Sequence, residues 1–265
     1  MAKLRELKYE LIGTPLEPWI TGVRRYYAGY VGLARHPELR EIYREDGRIH
    51  ALWKKIVRPN SNCIDVGCHY GSVLSQFCRL APSGMHLAVE AIPEKAAFLR
   101  RKFPQVDVRN LALCDYAGTS TFHIDVDKSG FSGLGRHTEG KFRTIEVKCD
   151  SLDSIVPRDR RFDILKLDVE GAELLVLRGA TGFLRSDRPT ILFECGPSGP
   201  EAFHYTAADL HRFLISQDYL VFFVKDALHG GAPIDSNEME EALRFPFKAF
   251  NWVAIPKERS SDGRN

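Results

Sequence analysis

Apolar positions in the first sixty residues recur at three- and four-residue spacing, the period of a helix with one buried face. "VRRYYAGYVGLARHPELREIY" and "DGRIHALWKKIV" both read this way, and Pro59-Asn60 closes the second. From residue 62 the texture changes to short apolar runs alternating with helical ones. "NCIDV" predicts a strand, "SVLSQFCRLA" a helix, "HLAVE" a strand, "PEKAAFLRRKF" a helix with Pro93 suited to its first turn, and "VDVRN" a strand. The same alternation continues through "FDILKLD", the helical "AELLVLRGATGFL", "PTILFE", a helix near 206–217, "YLVFFV" and "AFNWVAI". Strands separated by helices predict an α/β fold, a mainly parallel sheet with helices on both faces. "TSTFHIDV" and "FRTIEVKCDSL" interrupt the rhythm as two strands with no helix between them, hence a hairpin. Their long connection carries four glycines, which makes 127–141 a candidate lid over the strand ends. The organisation expected is a helical extension over 1–60, one domain over 61–257 and a polar tail over 258–265.

Composition agrees with that layout. The 265 residues, 44% hydrophobic and 27% charged, suffice for one large α/β domain with a helical extension. Net charge is only +2, which gives no reason to expect nucleic acid or an anionic membrane as partner. Residues 1–60 hold 12 Lys/Arg against 7 Asp/Glu, an imbalance typical of a solvated helical face. "MAKLRELKYELIG" places charges where a secretory segment needs an unbroken apolar run, so a cytoplasmic location is expected. The six cysteines form no CxxC pair and read as buried reduced thiols.

The first candidate for chemistry is "CIDVGCHYG", Cys63 to Gly71. A dinucleotide fingerprint needs Gly-x-Gly-x-x-Gly so that backbone amides meet a pyrophosphate. Here the middle glycine is absent, and Asp65 precedes Gly67 by two residues. A carboxylate there disfavours pyrophosphate and suits a ligand with positive charge, such as S-adenosylmethionine, which carries an ammonium and a sulfonium. Gly67 would let the backbone approach that ligand, and Gly71 would let the next helix pack on the strand. Glu90 ends the second strand, where a carboxylate meets ribose hydroxyls in either NAD or S-adenosylmethionine folds. The third strand runs through Asn110 into "LALCD", where backbone at Leu111 and Ala112 could flank an adenine, with Asn110 or Asp115 near its amino group.

"FDILKLDVEGAE" is the densest acidic stretch beside a strand end. Strand alternation puts Lys166 and Asp168 on one face, and Glu173 falls in the first turn of the next helix, a capping position. Glu194 ends the following strand. Taken in order, "IDVGCHYG", "VEAIPEKAAFLRRKF", "NLALCDYAG", "VKCDSLDSI" and "FDILKLDVEGAELLVLRGA" resemble the signatures of FkbM-family S-adenosylmethionine-dependent methyltransferases, over about residues 60–195. The resemblance implies a class I methyltransferase Rossmann-like fold, a seven-stranded mostly parallel sheet with an antiparallel last strand. It also implies O-methylation of a small-molecule acceptor, most often a sugar or a glycosylated natural product. Carried over, Asp65, Gly67, Gly71 and Glu90 would hold the cofactor, with Cys68, His69, Ala91, Asn110 and Ala112 as further cofactor-binding candidates. Asp168, Glu170 and Glu194 would line the transfer site, with Asp168 the first choice of base. His137 and His204 are weaker alternatives. Cys68 and His69 depart from the small and polar residues usual after the first glycine.

Other readings stay open at this stage. Asp168 with Glu194 could form part of a Mg²⁺ site, the acceptor could be an amine, and a non-catalytic cofactor-binding scaffold is a further alternative. An NAD oxidoreductase is disfavoured by Asp65. Nucleic-acid methylation lacks a basic stripe with aromatics between. Trp19, Tyr26, Tyr27, Tyr30 and Trp53 offer aromatic surface for the core or for a second subunit, so a homo-oligomer is an expectation.

Overall fold

The computed structural model describes residues 9–125, 132–135, 141–197 and 200–261. Among the described residues, ten strands form two sheets: β1 Cys63–Val66, β2 Leu87–Val89, β3 Asp107–Arg109, β4 Ala112–Leu113, β5 Gly118–Asp125, β6 Phe142–Asp150, β7 Ile164–Leu167, β8 Thr190–Glu194, β9 Tyr219–Phe223 and β10 Asn251–Pro256. Seven make the main sheet, in the order β3-β2-β1-β7-β8-β10-β9. Pairings from β3 to β8 are parallel, and β10 runs antiparallel to both β8 and β9. The fold expected from the alternation and the resemblance is therefore the fold observed. The predicted hairpin is also present: β5 and β6 pair antiparallel over eight residues and join the short β4 in a second sheet.

Period-two alternation divides the core into two layers. Ile64, Val66, Leu165, Leu167, Ile191 and Phe193 face one way, into a core with Leu174, Leu177 and Trp252. Cys63, Ile164 and Leu192 face the other, against Leu52, Trp53 and Phe77. Trp53 is fully buried there, so the helix Arg40–Ile56 covers that face of the sheet. Its Glu45 accepts from the amides of Phe250 and Asn251 and from the Asn251 side chain, which ties the helix to β10. The helix Glu17–Arg35 precedes it, separated by a 3₁₀ turn at Pro37–Leu39.

Local differences from the sequence reading have identifiable causes. The single helix predicted over 172–184 is two, Glu173–Arg178 and Thr181–Asp187. Between them, Gly179 passes so near the Cys114 carbonyl that a Cβ would sit 2.2 Å from its oxygen. Two helices, Val224–His229 and Ser236–Ala242, were not anticipated. The second owes its start to Asp235, whose carboxylate accepts from the amides of Asn237 and Glu238. The expected tail begins as a short helix, Lys257–Ser261, and Arg188 pairs with Glu258 at 2.8 Å.

Candidate active site

Strand order reverses beside β1, which is flanked by β2 on one side and β7 on the other. Open α/β sheets bind ligands outside the carboxyl ends of the strands at such a point. After β1 the chain turns sharply, with Gly67, His69 and Gly71 all at positive φ (73°, 53° and 83°). The turn feeds the helix Ser72–Leu80. Glu90, just past β2, braces the turn: its Oε2 accepts from the His69 amide at 2.8 Å and its Oε1 from the Ile92 amide at 2.9 Å.

A cavity of about 340 Å³ opens over these strand ends. Gly67, His69, Glu90, Ala91 and Ile92 form one wall, and Leu111, Ala112, Leu113 and Phe122 another. Asp168, Val169, Glu170 and Glu194 close the far end. Ser132 and Leu134 also line it, brought over by a two-way backbone bridge between Gly133 and His123. This part of the predicted lid does border the cavity. Residues 126–131 and 136–140, including His137, lie outside the described residues.

Lys166 organises the floor. Its Nζ donates to the carbonyls of Val66 (3.3 Å) and Gly67 (3.1 Å) and lies 3.4 Å from Asp65 and 3.2 Å from Asp168. Burial opposes its charge, but the carboxylates of Asp168 and Asp65 outweigh that and hold its pKa above the ordinary value. Asp65 is completely buried, and desolvation raises its pKa against the pull of Lys166. Beyond them, desolvation followed by the charge of Asp168 pushes Glu170 up to about 9 and Glu194 up to about 8. Both therefore favour the protonated form near neutrality, in which a carboxyl group has a proton to donate. Burial likewise raises Glu173, to about 7, although its Oε1 accepts from the amides of Val169 and Gly171. Those bonds tie Glu173 to the turn that leads into its helix, and they are not a side-chain cap at Ala172, the residue before it.

Several sequence-predicted residues sit elsewhere than supposed. Asp65 does not line the cavity; it lies beneath the glycine turn, where β1 alternation directs it onto Lys166. Cys68 is turned into the core with Leu74, Ala88 and Leu99, its thiol toward the carbonyls of Asp65 (2.9 Å) and Val89 (3.3 Å). Asn110 is also off the lining, and its amide donates to the carbonyls of Glu90 and Ala91, fixing that bend from behind. Gly71 meets Leu99 of the helix Pro93–Lys102 and Phe103 just beyond its end, rather than the strand. The close approach at Gly67 is to the chain itself, since a Cβ there would fall 1.7 Å from the Asp168 carbonyl oxygen. Tyr70 stacks on Tyr9 at 3.7 Å, while His69 faces the cavity. His204 is exposed and off the lining.

The sequence reading missed Lys95, a lysine only 5% exposed on the cavity wall, 5.7 Å from the Tyr70 ring centroid. Its sole signal was a place in the first turn after Glu90. Ile92, Leu113 and Phe122 were also missed, being ordinary apolar residues in the sequence. Among the described residues, no group of three or more potential metal ligands comes together, and no helix is long and apolar enough to cross a membrane.

A family model described as the methyltransferase FkbM domain matches residues 65–221. No curated protein matches the sequence. Among solved structures, the chain is similar to methyltransferase FkbM from Methylobacillus flagellatus KT, with 14% identity and a TM-score of 0.47. That alignment covers 75% of this chain and 44% of the other, so the chain spans less than half of that protein's length. A putative rRNA-methylase from Clostridium thermocellum is similar at 12% identity and TM-score 0.46, over 80% of this chain and 94% of that one. The plantazolicin methyltransferase BpumL, in complex with SAH, is similar at 8% identity and TM-score 0.42, over 96% and 98%. The family match extends over more than half of the sequence and spans every strand-end acid of the cavity, and the chain belongs to the FkbM methyltransferase family.

Proposed function

We propose that this methyltransferase takes its methyl group from S-adenosylmethionine and delivers it to a hydroxyl of a small molecule, a sugar or a glycosylated natural product. One observation carries the reading: a single cavity has a braced carboxylate, Glu90, at one end and Asp168, Glu170 and Glu194 at the other. The residues fit that cofactor. Each carboxylate oxygen has two acceptor sites. Amides occupy one on each oxygen of Glu90, which leaves two for a pair of ribose hydroxyls. Ile92, Leu113 and Leu134 offer apolar surface for an adenine, and the volume lies within the ~300–1,000 Å³ usual for small-molecule sites. Among the described lining residues, Glu90 and Asp168 stand against one lysine, Lys95, which suits a cation and disfavours a pyrophosphate.

When bound, the cofactor would supply an electrophilic methyl on a sulfonium. The chain's own task is then to align an acceptor oxygen and remove its proton. Asp168, side chain 31% exposed at the cavity end, is the group we assign to receive that proton. Glu170 and Glu194, protonated, would donate hydrogen bonds to neighbouring acceptor oxygens, an arrangement that favours a polyhydroxylated substrate. Calorimetry tests the cofactor: S-adenosylmethionine and SAH should bind and NAD should not, and Glu90→Ala should weaken binding at least tenfold. Binding of NAD alone would end the proposal. A screen of sugar acceptors with labelled methyl tests the second half, with Asp168→Asn expected to abolish transfer while cofactor affinity persists. Transfer that continues undiminished in Asp168→Asn would remove it as base, and transfer only to amines would replace the O-methyl reading.

A further inference from the structure

Six of the ten large apolar side chains exposed among the described residues lie within fifteen positions of one another: Leu16, Trp19, Ile20, Val23, Tyr26 and Tyr30. Their exposures run from 43% for Ile20 to 78% for Trp19, on the helix Glu17–Arg35 and the residue that precedes it. Leu16, Trp19, Val23, Tyr26 and Tyr30 are spaced three, four, three and four apart. That spacing draws the narrow stripe of a coiled-coil seam rather than the broader face of a helix on a globular core. The helix already has a core contact on its other side. Glu17 reaches Ser75 and Arg79 of the helix Ser72–Leu80, and Gly32 lies under the Tyr43 ring.

We propose that this stripe is a homodimer seam, closed by the same stripe of a second copy in an antiparallel, two-fold arrangement centred on Val23. A two-fold interface must be complementary to itself. With Val23 on the axis, position 16 faces position 30 and position 20 faces position 26, so Leu16 meets Tyr30 and Ile20 meets Tyr26. None of the six carries a charge, so the pairing opposes no like charges. Gly22 and Gly29, seven residues apart on one flank, have nothing within 4 Å of where a Cβ would stand, which leaves room for a partner backbone. At about 150–250 Å² for a buried aromatic, and less for the aliphatics, these exposures leave on the order of 600–700 Å² to cover. That is close to the ~800 Å² per partner of a stable complex. A membrane-surface helix would leave its polar face in solvent along its length, and here Glu17 and Gly32, near the two ends of the opposite face, are in contact with the protein.

Sedimentation velocity on the full chain should show a concentration-dependent dimer. Val23→Asp and Tyr26→Asp should each raise the dimer dissociation constant by at least ~100-fold, since each buries unpaired carboxylates, with far-UV circular dichroism unchanged. Val23→Cys should form an intermolecular disulfide with copper(II)-phenanthroline, two thiols giving two electrons to the copper and two protons to water. Thr21→Cys, exposed but off the stripe, should not. A wild type that is monomeric at every concentration overturns the proposal. So does a dimer that survives both aspartates, or a monomer that co-sediments with phosphatidylserine vesicles through this helix.

Discussion

Replacing Lys166 by Met removes one ammonium and leaves two carboxylates that it served. Asp65 is the more exposed to the consequences because it is the less exposed to water: it is fully buried, and Lys166 at 3.4 Å is its ion-pair partner. Removing one member of a buried pair costs roughly 3–5 kcal/mol, because the remaining charge is stranded in low dielectric. The carbonyls of Val66 and Gly67 lose their donor as well. For a chain of this size about 2–4 °C accompanies each kcal/mol, so thermal unfolding should fall by roughly 6–20 °C at pH 7. The cost comes from the stranded acid, so Asp65→Asn added to Lys166→Met should recover a large part of it, a coupling that a double-mutant cycle measures directly. Denaturant unfolding of the four proteins is the assay. A Lys166→Met chain within about 1 kcal/mol of wild type, or a double variant whose losses simply add, would refute the argument that this ion pair organises the floor.

Stability should also depend on pH with a definite sign. Glu170, Glu194 and Glu173 have folded pKa values near 9, 8 and 7, raised above the ordinary carboxylate range, so between that range and about 9 the folded state holds more protons than the unfolded one. The cofactor-free chain should therefore lose stability as pH rises from about 5 to 9, and Glu170→Gln should flatten the slope; a melting temperature that rises over this interval would contradict the assignment. Gly67→Ala combines a φ of +73° with a Cβ 1.7 Å from the Asp168 carbonyl oxygen. It should cost at least about 2 kcal/mol and abolish cofactor binding, and a variant as stable and as tightly binding as wild type would show the turn to be loose. Activity should survive EDTA, and loss restored by Mg²⁺ alone would make this a metal-dependent enzyme with Asp168 and Glu194 as candidate ligands.

The strand-end acids were legible because a parallel sheet delivers the carboxyl ends of β1, β2, β7 and β8 to one edge. Glu90, Asp168, Glu170 and Glu194 could thus be grouped by counting strands, and all four do border one cavity. Which side of the backbone each group occupies was less legible. Asp65, Cys68 and Asn110 stand in the right turns yet support the cavity from beneath or behind. In a tight glycine turn one residue's φ decides which side chain faces the cavity: of the two candidates there, His69, at φ 53°, lines it, and Cys68 turns into the core.

The sequence by itself determined the fold class, the order of the elements and the acid-rich edge, because these follow from hydrophobic period and from turn residues acting over a few positions. Tertiary structure alone decided that Lys166 binds two acids and two carbonyls, that Lys95 is buried against the cavity, and that the hairpin brings Leu134 over it. Those outcomes depend on segments tens of residues apart meeting in space. Burial then sets the charge of each group, so a glutamate that would be ionised in the free chain becomes a neutral donor at the end of the cavity.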